Sequence, residues 1–143
     1  MALLHEISAA DQLLLDRFLT GELPPKEFHH REHVRLAYIF LTLNGMEEST
    51  DALRTALRRF LRHHGIDPAK YHETMTCAWM LAVMHFMKIT PAQTDSEAFL
   101  NAQPRLLDPQ IMLTHYTTAA IRSEAARSAF VQPDLDPIPR YTA

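Results

Sequence analysis

Phe28-His29-His30-Arg31-Glu32-His33-Val34-Arg35-Leu36-Ala37-Tyr38-Ile39-Phe40-Leu41-Thr42-Leu43 is the stretch that decides the fold. A helix turns about 100° per residue, so Val34, Leu36, Ala37, Phe40 and Leu41 share one arc. Arg31, Arg35 and Thr42 define the opposite face. The spacing predicts a helix that begins near Pro25–Phe28 and runs to about Leu43, where Asn44-Gly45 stops it. His33 falls at the centre of the apolar arc. His29 and His30 fall within it on either side, and Glu32 sits at its edge.

Further helices flank this one. Ser8 caps a first helix, about Ala9–Leu19, which Gly21-Glu22-Leu23-Pro24-Pro25 ends. Ser49 or Thr50 caps a third that ends at His64, with Gly65 as its C′ residue. Asp67-Pro68 caps a fourth, about Ala69–Ile89, with the proline in the first turn where its missing N–H costs little. Beyond Pro91 the elements shorten. One helix is expected near Asp95–Asn101, another starts at Asp108-Pro109 and carries Ile111, Met112 and His115, and a last turn lies near Ser123–Ala129. Val131–Pro139 holds Pro133, Pro137 and Pro139 and reads as extended chain on the surface. The expected fold is all-α, one domain over residues 1–143. It is an antiparallel bundle of about four longer helices with short C-terminal helices and an extended Pro-rich tail over 131–143.

Composition agrees. The chain has 143 residues, enough for one domain. Leu (19) and Ala (18) dominate, while Val and Gly each occur three times. Few Val and few Gly argue against a β-sandwich or barrel. A net charge of −3 gives no electrostatic footprint for nucleic acid. The one basic stretch, with Arg54, Arg58, Arg59 and Arg62, reads as the solvated face of a helix. Cys77 is alone, which excludes an intramolecular disulfide and fits a reducing cytoplasm. Glu6 interrupts Met1–Ile7, and Asp11, Asp16 and Arg17 follow, so no signal peptide is expected. No apolar run approaches the roughly 18 residues needed to span a bilayer. A cytoplasmic protein without nucleic-acid or membrane partners is expected. Neither G-x-G-x-x-G, G-x-x-x-x-G-K nor G-x-S-x-G occurs, which disfavours nucleotide binding and serine hydrolysis.

Nine histidines are the unusual feature. In the fourth helix Met75, Trp79, Ala82, Val83 and Phe86 mark the buried face, and His72 lies within about 20° of Trp79. His85 lies opposite, near Lys70 and Lys88, and His5 is near the terminus. His63 and His64 sit in the last turn of the third helix, where imidazole suits the negative end of the dipole. His30, His33 and His72 therefore aim inward from two helices, and periodicity does not separate His29 from His30. Each buried imidazole needs partners for both ring nitrogens. A metal ion partners several rings at once, and bundle interiors hold such sites at i, i+3 or i, i+4. His29-His30-Arg31-Glu32-His33 also contains H-x-x-E-H, the inverted zincin string. Five residues match readily in a His-rich chain, and proteases of that type are much larger, so the i, i+3 pair His30/His33 is preferred.

Phe28-His29-His30-Arg31-Glu32-His33-Val34-Arg35-Leu36-Ala37 and Tyr71-His72-Glu73-Thr74-Met75-Thr76 together resemble a family of small, uncharacterised bacterial helical proteins. Its pattern is aromatic-x-His-x-x-His, an apolar helix, and a Tyr-His-Glu-Thr string some forty residues later. The C-terminal block with Leu106-Leu107-Asp108, His115-Tyr116-Thr117 and Val131-Gln132-Pro133-Asp134-Leu135 is similar too, so the resemblance runs from Pro24 to Pro139. Relatives often carry another polar residue in place of His29. The resemblance thus implies a shared site at His30, His33 and His72, and no particular reaction.

His30, His33 and His72 are the expected metal ligands, for Zn, Fe, Ni or Cu. Three protein ligands leave an open position for water or substrate. His29 and His115 are further candidates, His115 because its short helix could fold back over the bundle mouth. Glu73 is the expected catalytic residue, as general base, with three alternatives: an acceptor for a ligand imidazole, a fifth metal ligand, or an ion pair with a basic side chain at the rim. Tyr71 and Tyr116 are placed to contact substrate or to snorkel. Cys77 lies at a polar edge and is not counted as a ligand. Met75, Met80, Met84 and Met87 form a soft core stripe. The expected function is a small metal-dependent enzyme acting on a small molecule by hydrolysis or related Lewis-acid chemistry; non-haem iron chemistry uses the same ligand types. Two other classes stand beside it: a metal-free module for an anionic or aromatic ligand, and a structural or partner-binding protein with metal-free core histidines, for which a homodimer is one arrangement.

Overall fold

Six consecutive residues, Leu36 to Leu41, are buried whichever way they point. Only a helix surrounded by others can do this. α2 (His30–Leu43) accordingly packs against α1 (Ala9–Thr20), α3 (Met46–His63), α4 (Glu73–Ile89) and α5 (Ser96–Ala102). The computed structural model describes residues 4–140. These contain seven α-helices, four 3-10 turns and no strand, so the chain is all-α. Residues 141–143 of the expected tail lie outside the described residues. Among the described residues no helix is long and apolar enough to cross a membrane.

The face of α2 expected to be polar is itself covered. Arg35 donates to Asp11 at 3.2 Å and to Ser96 Oγ at 2.9 Å. Asp11 is fully buried and also accepts the Ser96 N–H at 2.8 Å and the Ser8 N–H at 3.3 Å. A carboxylate that deep is stable only with such partners. The same Asp11 and Ser8 form the capping box of α1. α1 ends at Gly21, whose φ of +83° suits glycine.

Several helix starts move. Pro25–Glu27 is a separate 3-10 turn, and α2 begins only at His30, with His29 as its N-cap residue. α3 begins at Met46, earlier than a Ser49 or Thr50 cap would put it. Ser49 Oγ instead donates across to Phe40 O of α2 at 2.7 Å, and Thr50 Oγ1 donates back to Met46 O at 2.9 Å, as hydroxyls inside helices do. Asp67-Pro68 starts only the 3-10 turn Pro68–Lys70. Tyr71 and His72 are extended, and α4 begins at Glu73. His72 is thus the N-cap of α4 and not a residue within it. Asp108-Pro109 starts a 3-10 turn, Pro109–Thr114, in place of the expected helix.

The C-terminal third folds over the bundle. α6 (Thr118–Arg122) and α7 (Glu124–Ser128) are short, and α7 packs on α4. The tail is extended, as expected from its prolines. Thr74 Oγ1 donates to Ala129 O at 2.8 Å and accepts the Val131 N–H at 3.1 Å. Tyr116 Oη donates to Val131 O at 2.7 Å, and Ile138 returns to the core.

Candidate functional site

The site is built where three chain segments meet. Phe28 leaves the 3-10 turn and α2 starts, so His30 and His33 stand one turn apart near its N-terminus. The extended pair Tyr71-His72 runs past them into α4. One face of α3 closes the space with Leu57, Phe60 and Leu61. His30, His33 and His72 line a single cavity of about 300 Å³. The convergence expected of these three residues is therefore present. Phe18, Phe28 and Phe60 meet behind it, with ring centroids 5.1 to 5.4 Å apart.

The three rings differ in what their nitrogens do. His72 is committed at both. Its Nδ1 accepts the Met75 N–H at 3.1 Å, which caps α4, and its Nε2–H donates to Ile121 O at 2.7 Å. His30 donates its Nε2–H to Leu106 O at 2.9 Å and meets the Trp79 ring edge-on at 4.5 Å. Its Nδ1 makes no hydrogen bond among the described residues. The Nε2 of His33 is buried and has no hydrogen-bond partner among the described residues. Burial, with a smaller push from His30, lowers the pKa of His33 to about 4, so the ring is neutral at pH 7.

His29 is exposed at the rim, and its backbone N–H donates to Glu32 at 2.9 Å. Tyr71 lines the cavity with its ring, while its hydroxyl donates to Glu73 at 2.6 Å. Lys70, which helical periodicity places beside His85 on the polar face, also lines it.

Glu73 belongs elsewhere. It lines a separate cavity of about 540 Å³, beside Arg54, Cys77 and Arg140. Arg54 grips it with two hydrogen bonds, 2.8 Å from Nε and 2.7 Å from Nη2. The Arg54 bonds, together with those from Tyr71 and Cys77, outweigh burial and bring its pKa down to about 2. Such a carboxylate is a poor base, and the expected catalytic role is replaced by the ion-pair alternative. Cys77 Sγ donates to the same carboxylate at 3.1 Å, and burial with this bond raises its pKa to about 11. The thiol stays protonated and inert.

His115 does not fold back over the cavity. Its Nδ1–H donates to Asp136 O at 2.7 Å, so it fastens the tail. Tyr116 is buried beneath that tail and is likewise outside the cavity. His5 is not merely terminal: it donates to Met87 O at 2.9 Å, accepts the Gln93 N–H at 3.1 Å and packs edge-on against Tyr38 and Phe99.

No family model, no curated protein and no solved structure matches the chain. Among the described residues, no three histidine, cysteine or carboxylate side chains are grouped as a ready metal site. His33 Nε2 is the buried nitrogen of the cavity that lacks a partner among the described residues, and no carboxylate among them lines the cavity.

Proposed function

We propose that the histidine cavity is the site of a small metal-dependent enzyme, with His30 and His33 holding a divalent transition metal ion and a small molecule completing its coordination. The observation that carries this reading is the sealed, neutral, unpartnered Nε2 of His33. A buried acceptor left unpaired costs about 1–3 kcal/mol. A metal ion would supply that partner, and imidazole suits Zn, Cu, Fe or Ni. His30 supports the reading, because a metal-binding imidazole typically anchors its other N–H on a carbonyl. His72 completes a three-imidazole set only by releasing the Met75 N–H. When bound, the ion would polarise a carbonyl or phosphoryl oxygen or activate a water. Glu73, held by Arg54 beside a separate cavity, takes no part in moving a proton there.

Elemental analysis of protein purified without a His-tag tests this. Near-stoichiometric metal in the wild type and its loss in His33→Ala is the expected result. A wild type without metal, whose melting temperature is unmoved by added Zn, Fe(II), Ni or Cu, overturns it.

A second reading draws on the two completed hydrogen bonds of His72. Here His72 is structural, and His30 and His33 accept hydrogen bonds from a ligand N–H or O–H without metal. A small molecule that co-purifies without metal, found by mass spectrometry, selects this reading.

A further inference from the structure

We propose that this site takes an organic anion, with an apolar body in the histidine cavity and a carboxylate or phosphate on a basic ledge beside it. The inference rests on the histidine cavity being the small-molecule site, with or without a metal ion. A second cavity, of about 470 Å³, adjoins the first and shares Leu61 and Tyr71 with it. Arg58, Arg62 and Arg127 line this ledge, Lys70 lines the first cavity beside it, and Glu124 is the one acid. None of these four cations forms an ion pair among the described residues, whereas Arg17, Arg31, Arg35 and Arg54 each pair with a carboxylate. A cluster of unpaired cations in a chain of net charge −3 is a local field for an anion.

The ledge is also shaped. The Arg58 guanidinium lies over the Tyr71 ring, 4.7 Å from its centre. Arg62 follows one turn later on α3, and Arg127 is fixed by donating to Ala69 O at 2.7 Å. Guanidinium forks match carboxylate and phosphate oxygens. Inside, Phe28, Leu57, Phe60 and Met75 offer apolar wall, and no carboxylate repels an anion. About 300 Å³ is the small end of ligand sites and suits a body of about one aromatic ring. The basic stretch read as a solvated face thus divides. Arg54 binds Glu73, while Arg58 and Arg62 face the ledge.

Trp79, the only tryptophan, touches His30 and reports on the cavity by fluorescence. The probes are 3-phenylpropionate, phenyl phosphate, the neutral 3-phenylpropanamide and inorganic phosphate. The acid and phenyl phosphate are expected to bind at least tenfold more tightly than the amide at low salt, with the gap narrowing at high salt. The double variant Arg58→Gln/Arg62→Gln should bring the acid to the level of the amide and leave the amide unchanged. His33→Phe should weaken both. If the amide binds as tightly as the acid and His33→Phe abolishes it, the cavity reading survives and the anion inference is overturned. Inorganic phosphate matching phenyl phosphate, indifferent to His33→Phe, overturns it also, because the ledge then acts without the cavity. If no probe binds and added metal leaves the melting temperature unchanged, the cavity reading falls with it.

Discussion

At the scale of single residues, His33 is a titrating group whose folded and unfolded states disagree. Its pKa falls from an ordinary 6.5 to about 4 on folding. As pH drops below 6.5, the unfolded chain takes up a proton that the folded chain refuses. Stability from this group is therefore complete above 6.5 and is lost progressively down to about 4. In metal-free protein the urea midpoint should fall across that window, and His33→Phe should remove this component of the slope. An unchanged slope in the variant would place the effect on another group. His72 allows a cleaner separation of roles. Asn is a good N-cap, so His72→Asn should keep α4 stable, while His72→Ala should lose about 0.5–2 kcal/mol. If both variants lose metal affinity, His72 is a ligand; if Asn retains it, His72 is a cap alone. The convergence of His30, His33 and His72 was legible because helical arcs report which way a side chain points. What their nitrogens bind was not, because Leu106 O and Ile121 O lie 76 and 49 residues away in sequence.

At the scale of elements, the Arg54–Glu73 pair fastens the middle of α3 to the first residue of α4. Tyr71 and Cys77 satisfy the remaining acceptor positions on the carboxylate. Glu73→Gln leaves Arg54 facing an amide and should destabilise the fold at pH 7 by about 1–3 kcal/mol. The acid side has a defined sign. The folded pKa of about 2 lies below the usual 4.5, so the contribution is complete above 4.5 and fades as pH falls toward 2. Acid unfolding of Glu73→Gln followed by circular dichroism should be shallower than wild type in that window. Equal steepness would mean that Arg54 gains nothing from the pair. The longer helices and the Ser8 cap of α1 were readable in the sequence, but the starts of α2, α3 and α4 were not. Ser49 looks like a cap in sequence, yet its hydroxyl bonds back to Phe40. His72 looks like a helical residue, yet Asp67-Pro68 spends its capping on one 3-10 turn. Propensity favours several starts nearly equally, and packing against another element chooses among them.

At the scale of the whole molecule, the site and the C-terminal third are coupled through backbone carbonyls. His30 holds Leu106 O and His72 holds Ile121 O, so two walls of the cavity hang from segments that follow the bundle. The tail beyond Phe130 is attached differently. It binds Thr74 and Tyr116 through Val131, His115 through Asp136, and the core through Ile138. None of those contacts lines the histidine cavity. A chain ending at Phe130 should therefore keep its helical circular dichroism and its cavity while losing stability. Burial of an isoleucine contributes about 1.5–3 kcal/mol, and the unpaired hydroxyl of Tyr116 adds to the loss, while Thr74 keeps its bond to Ala129 O. A chain ending at Ala102 loses both carbonyls and should fail to bind metal or probe at all. Melting temperature and Trp79 fluorescence of the two truncations decide the matter. If the first truncation loses binding while remaining folded, the tail shapes the cavity at a distance, and the separation between a site-bearing bundle cap and a stabilising tail is wrong.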